Sequence, residues 1–354
     1  MPPKDFISQA AESILKAEEK RKKLVQKIRP FRKTKMNPME MMVEKAECAE
    51  LDGRLAGVDS GFVGQDFLSL DLVLIRARAV VFDYRKGKLA KAAYHPNYYS
   101  FPEPLISNRA LQLEDVSTNK SLQRLAKEIG LAEEIIGKFS PDYCFLDGSI
   151  VPQHADKPRS NSKMQPFYKE IIEKFESLFL KAEEKNCTLI GCVEDSRGTR
   201  FKDIAEKIIG KKEFEELNEC FDVVLLDSLL AEGERSFAFP YAEKVKEHPI
   251  LQDFSKEYAE MVHAFYIKPS ALDRPLRTEF LLKKGTGKKE IDRIASIIFA
   301  QSRLHREYSY PSVLIEADLR SRLREEEIKI ICDKIFDRIG GSKRLSLRRE
   351  KRPF

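Results

Sequence analysis

Two hydrophobic periods run along this chain, and the change from one to the other marks out its elements. Over residues 5–29, Ile7, Ala10, Ala11, Ile14, Leu15 and Ala17 recur at helical spacing among Lys/Glu pairs, and Pro30 ends the run. Residues 38–50 (PMEMMVEKAECAE) predict a second helix. Three strands should follow: Leu55–Asp59, Asp71–Tyr84 with its run LVLIRARAVVFDY, and Lys88–Tyr94. The short turn Arg85-Lys86-Gly87 between the last two reads as a hairpin or meander. Residues 95–107 (HPNYYSFPEPLIS) read as a Pro- and aromatic-rich loop.

Residues 107–130 predict one helix or a broken pair, with Ser107 or Asn108 as N-cap. A fourth strand at 142–147, an amphipathic helix at 163–185 and a fifth strand at 187–193 come next. Beyond them the pattern predicts a helix at 200–220 and a short strand at Asp222–Leu226. A strand pair follows at Phe265–Lys268 and Leu276–Leu282, then a helix at Lys288–Ser302. The stretch Ser309–Phe336 should hold one long helix, with Asp318 interrupting the apolar face of Val313, Leu314, Ile315 and Leu319. Three meander strands, then helix, strand, helix, strand resembles the order of a ribonuclease H-like core. The expected fold is therefore α/β: a mixed five-stranded sheet flanked by helices, with N-terminal helices and C-terminal additions. In that core the first and fourth strands are neighbours about 4.8 Å apart. Asp59 and Asp147 would then meet.

Those two acids share a local pattern. Leu55, Ala56 and Val58 lead into Asp59-Ser60-Gly61, and Tyr143–Leu146 leads into Asp147-Gly148-Ser149. Each could cap a turn by itself. As a pair they suggest one site, because a buried carboxylate needs a cation, a donor or a metal beside it. The glycines after Asp59 would let a phosphate backbone come close. Leu111, Glu114 and Ser117 lie about a helical turn apart, which puts Glu114 on or beside a core-facing side. Phosphodiester hydrolysis by two divalent cations needs three or four such carboxylates. Asp59, Glu114, Asp147 and Asp318 are the candidates. Glu114 and Asp318 are also ordinary helix acids in form. Lys202 or Arg200 would contact the phosphate, or is surface charge.

Composition narrows the alternatives. The 354 residues are 42% hydrophobic, enough for a large core, and the net charge of +6 permits nucleic acid without requiring it. The six cysteines, Cys48, Cys144, Cys187, Cys192, Cys220 and Cys332, form no Cys-x-x-Cys pair. They read as reduced thiols of a cytoplasmic protein. No apolar run reaches membrane-spanning length, and the N-terminus lacks a signal peptide's apolar core. The segment KKGTGKKE (283–290) lacks the spacing of a phosphate loop, because Leu282 and Lys289 stand where Gly and Ser/Thr are needed. Lys283, Lys284, Lys288 and Lys289 would instead touch a nucleic-acid backbone. Tyr94, Tyr98, Tyr99 and Phe101 would stack on unpaired bases or pack in the core. The tail Lys343–Arg352 carries six basic residues against one acid.

GVDSGF, the NR-x4-E helix start at Asn108, FLDGS and the late YP-x4-EAD at Tyr310 together resemble the NurA family of archaeal nucleases. The likeness spans about 55 to 320. It implies a ribonuclease H-like domain over 51–340, between a helical arm at 1–50 and a basic tail at 341–354. It implies Mn²⁺ or Mg²⁺, two ions, held by Asp59, Glu114, Asp147 and Asp318. It also implies 5′-to-3′ exonuclease and single-strand endonuclease action on DNA, a homodimer, and a HerA-type hexameric ATPase as partner in DNA end resection. Near the fifth strand the family pattern would have a Lys-Ser element. This chain reads Glu194-Asp195-Ser196, which leaves open whether those acids join the site or cap a turn. Two rival readings share the core: a non-catalytic DNA-binding adaptor of a translocase, and an Argonaute-type guide-dependent nuclease.

Overall fold

The computed structural model describes residues 4–67, 71–99, 101–107, 111, 113–210, 220–283 and 285–338. In chain order the elements begin with α1 (Lys4–Ile28), β1 (Val43–Lys45), β2 (Gly53–Asp66), β3 (Asp71–Arg85), β4 (Lys88–His95) and β5 (Glu103–Ser107). Next come α2 (Leu113–Phe139), β6 (Tyr143–Asp147), α3 (Gln165–Glu184), β7 (Thr188–Val193), α4 (Arg200–Ile209) and α5 (Asp222–Leu229). The chain continues with β8 (Glu234–Ser236), β9 (Phe239–Pro240), α6 (Lys256–Met261), β10 (Val262–Lys268) and β11 (Leu276–Leu281). It closes with α7 (Lys288–Ser302), α8 (Ser312–Ser321) and α9 (Glu325–Arg338).

These elements form two compact units, each assembled from separated stretches of chain. One comprises Leu51–Gly191, Lys244–Glu260 and Ser312–Phe354. Its sheet runs β7-β6-β2-β3-β4, with β5 also paired to β3. β2–β3 and β3–β4 are antiparallel and β2–β6 is parallel, so the sheet is mixed as the element order predicts. β3 can be long because its run from Leu72 to Ile75 and from Ala79 to Phe82 is buried throughout. α2 and α3 each bring a stripe at helical spacing into the core: Leu122, Leu125, Ile129 and Ile136 from the first, Ile171, Phe175 and Leu178 from the second. α9 packs Ile328 and Cys332 on Leu72 and Leu74.

The other unit comprises Met1–Glu50, Cys192–Glu243 and Met261–Pro311. Its strands run β1-β8-β10-β11, with β9 on β10. Its core gathers Phe201, Phe237, Phe239 and Tyr266 with Val25 and Ile28 from the end of α1. All six cysteines are free thiols, and among the described residues no helix is long and apolar enough to cross a membrane.

Several expectations need correction. Residues 38–50 form no helix. The Asn37 side chain accepts the Met39 and Glu40 N–H groups, and the Glu40 carboxylate is taken by Arg235 and the Ala238 N–H, which leaves the segment extended. Asp222–Leu226 is helical, because five apolar residues carry no decisive period. Part of the 95–107 loop is strand β5, which saturates one edge of β3 from Asp71 to Ile75. The expected long C-terminal helix is two, α8 and α9, separated at Arg322–Arg324. Residues 211–219 and the basic tail lie outside the described residues.

Candidate functional site

Alternate residues of a strand share a face, so Gly57, Asp59 and Gly61 of β2 point one way and Val58 and Ser60 the other. α8 lies against the first face. A Cβ on Gly57 would stand 2.6 Å from the Val313 carbonyl oxygen, and one on Gly61 would stand 2.7 Å from that of Ser321. No side chain fits at either place, and glycine is what admits the helix. The close approach seats the buried Ser321 hydroxyl on Asp59, to whose Oδ2 it donates. Asp59 is 6% exposed. Asp318, one helical turn earlier on α8, is exposed at the surface. Partial loss of water around its carboxyl, and then the charge of Asp59, push it upward, with Arg322 opposing. The two carboxylates therefore feel each other.

Asp147 joins them through register. β2 and β6 run parallel, and their last paired couple is Val58 with Leu146. Asp59 and Asp147 are the next residue on each strand. β6 stops at Asp147, whereas β2 continues to Asp66, paired all the way with β3. Asp59 thus sits inside its strand and not at the end of it. Its parallel pairing with β6 ends just before it, while its antiparallel pairing with β3 continues.

Behind the strand lies a second charged group. The Ser60 hydroxyl donates to Glu128, and Arg124 Nη1 donates to the same carboxylate at 2.6 Å. Burial raises the Glu128 carboxyl to about 7 even though Arg124 opposes it, and Asp59 adds to the rise. Arg124 is held more strongly protonated than usual, first by Glu128 against the cost of burial and then by Asp156, Asp59 and Asp147. Asp156 is buried and takes the Ser121 hydroxyl at 2.5 Å and the Gln153 N–H at 2.7 Å. Arg124 thus touches Glu128 and feels the charges of Asp156, Asp59 and Asp147. Ser60, Ser121, Arg124, Glu128, Asp156 and Ser321 are not evident from sequence. The one local signal was Arg124 and Glu128 four residues apart, a spacing more common on a solvated helix face.

Asp59, Asp147 and Asp318 belong to one compact unit. Glu114 stands in the first turn of α2 in that unit, and its side chain lies outside the described residues. Lys202 belongs to the other unit. It is buried, and its Nζ donates to the Cys220 carbonyl at 3.4 Å. Arg200 there donates to Glu243 at 3.3 Å. Glu194 accepts the Tyr308 hydroxyl, and Asp195 faces Arg274 at 3.9 Å. Ser196 caps the turn by accepting the Gly198 N–H at 3.2 Å. Two details differ from the sequence reading. Gly61 makes room for α8 and not for a phosphate, and Leu319 is exposed and not part of a core-facing stripe. Among the described residues, no three His, Cys, Asp or Glu side chains converge as a metal-binding group.

The NurA domain family model matches residues 53–323. No curated protein sequence matches the chain. The crystal structure of the NurA nuclease from Sulfolobus solfataricus is similar over 96% of this chain and 98% of its own, at 15% identity and a TM-score of 0.59. A crystal structure of NurA with manganese covers 94% of this chain and 98% of its own, at 10% identity and a TM-score of 0.49.

Proposed function

This chain belongs to the NurA family, and on that premise we propose that it is a metal-dependent nuclease acting on DNA. The observation that supports the reading is register: Asp59 and Asp147 each follow the last paired couple of parallel β2 and β6, and the charge of Asp59 acts on Asp318 of α8. The donor set fits a hard divalent cation. It offers carboxylate oxygens with no thiolate or imidazole among them. Burial first, and the charge of Asp59 after it, raise both Asp318 and Glu128, and a cation beside Asp59 would remove the second of these causes. Asp59, Asp147 and Asp318, with Glu114 at the start of α2, are the residues that would hold Mn²⁺ or Mg²⁺. Two such ions would neutralise charge on the phosphate and supply a hydroxide from water. Ser321 fixes the orientation of Asp59 through its hydroxyl. Arg124 keeps the surrounding carboxylates from repelling one another before anything binds.

Finer features rest on membership of the family. They are a 5′-to-3′ exonuclease and single-strand endonuclease, a homodimer, and a HerA-type hexameric ATPase that supplies translocation in end resection. The domain carrying the activity is taken as 51–340. Lys202, as a buried group on a carbonyl, is the weakest member of the proposed set.

The test is degradation of end-labelled linear DNA in Mn²⁺, with and without the ATPase. Asp59→Asn should lower the rate by at least about 100-fold, more than outer-shell changes usually cost a metal site. Its circular dichroism should be unchanged. Full activity in that variant overturns the assignment. One rival, the non-catalytic DNA-binding adaptor, would use the same core without the chemistry. That reading predicts binding by the wild-type chain with no turnover in any divalent metal.

A further inference from the structure

The segment after β4 sets aromatic rings in water. Tyr98 is 40% exposed, Tyr99 80% and Phe101 91%. One exposed ring needs no explanation, but three within four residues do. The first of them is held in place. Tyr94 and Tyr98 meet edge to face with centroids 4.6 Å apart, and Tyr98 and Tyr99 meet the same way at 4.6 Å. The Arg320 guanidinium lies 4.1 Å from the Tyr98 centroid, a cation–π contact. The Tyr94 hydroxyl donates to Glu316 at 3.0 Å, and Arg320 Nη2 donates to the same carboxylate at 2.6 Å. Glu316 and Arg320 flank Asp318 on α8, two residues to either side. The ring series is therefore tied to the helix that brings Asp318 and Ser321 to the acid site.

We propose that Tyr98, Tyr99 and Phe101 form a stacking platform for the unpaired bases of a single-stranded nucleic acid. The proposal rests on the nuclease reading, and the platform would hold the strand leading to the acids. Every nucleobase has a π face, so aromatic rings bind single strands with little regard to sequence. Two of the three rings are tyrosines, whose hydroxyls tolerate water when no strand is bound. Arg320 adds a cation beside the first ring, which suits a polyanion. A duplex keeps its bases stacked on one another and would gain little from these rings.

The experiment is fluorescence anisotropy with labelled oligothymidylate in EDTA, so that cleavage does not enter, with a blunt duplex of equal length as comparison. Loss of one stacked base costs about 1–3 kcal/mol, or roughly 5- to 150-fold. The double variant Tyr99→Ala/Phe101→Ala should bind the single strand at least about tenfold more weakly, and the duplex within about twofold. Tyr99→Phe/Phe101→Tyr should restore single-strand binding. Unchanged single-strand affinity overturns the platform, as does an equal loss on both substrates or no wild-type binding to the single strand. A fall in sedimentation mass of the alanine variant would overturn it too, by assigning the rings to a contact between protein copies. Mn²⁺-dependent cleavage that needs Asp59 while the alanine variant binds normally removes the platform alone. Single-strand binding that needs the rings, without any cleavage, removes the nuclease reading alone.

Discussion

In the unit built from Met1–Glu50, Cys192–Glu243 and Met261–Pro311, buried acids have guanidinium or backbone donors at contact distance. Arg235 is wholly buried and bonds Glu40 and Asp292, each at 2.5 Å. Arg277 bonds the buried Glu279 at 2.7 Å. Asp222, raised to about 6 by burial, accepts the backbone N–H groups of Phe201 and Lys202 at 2.9 and 3.0 Å. In the unit that carries Asp59 the balance is different. The hydrogen bond to Asp59 comes from a neutral hydroxyl, and Arg124 answers to Glu128, Asp156, Asp59 and Asp147 together. Both units bury carboxylates, so burial by itself does not distinguish scaffold from site. The kind of partner does. A buried carboxylate closed by a guanidinium at contact distance holds structure, whereas Asp59 takes its hydrogen bond from a hydroxyl that carries no charge.

Three measurements press on that contrast. The largest effect should come from the closed side. Arg235→Met leaves Glu40 buried without its cation and should cost about 3–5 kcal/mol in urea unfolding. Arg235→Met/Glu40→Leu should recover most of it. A single-variant cost below about 1 kcal/mol would erase the distinction, since that is the range of an exposed pair.

The second concerns Glu128, whose carboxyl is pushed from 4.5 to about 7 by burial. Between those values the folded protein keeps a proton that the unfolded chain has released. This group's contribution is therefore greatest below pH 4.5 and is lost as pH rises towards 7. The decline should be on the order of 3 kcal/mol. Glu128→Gln should flatten it when urea midpoints are compared at acid and neutral pH. An unchanged slope would mean that another group carries the dependence.

The smallest effect is at Ser321. Ser321→Ala removes the donor to Asp59 and should raise the Mn²⁺ concentration for half-maximal cleavage about 10-fold, the lower range for losing an outer-shell partner. Unfolding should move little. If stability falls and the metal requirement does not, Ser321 is part of the scaffold alone.

The sequence made some of this visible. β2 and β6 announce themselves because apolar runs stop at Asp followed by small residues, and their parallel pairing follows from element order. α7 spans the same residues, Lys288–Ser302, that its periodicity predicts. The partners of the acids were hidden for a physical reason. Arg124 and Glu128 look like any exposed i,i+4 pair, and only the packing of α2 against β2 buries Glu128 and half-buries Arg124. Ser321 is a lone hydroxyl near a helix end, and nothing local says that a strand carboxylate waits opposite. The same logic hid the extended path of 38–50. Its residues favour a helix, but Glu40 is claimed by Arg235, nearly two hundred residues along the chain.

The glycines of β2 have a consequence for how relatives of this chain should be read. Gly57-x-Asp59-x-Gly61 places a gap, an acid and a gap on one face of a strand. The two gaps work as a gauge that sets the helix's height above the sheet, and the acid between them is read at that height. A methyl group at either gap would lift α8 and move Ser321 and Asp318 away from Asp59 together, with every acid still present. In other chains that keep the acids, this spacing would tell an aligned centre from a detuned one.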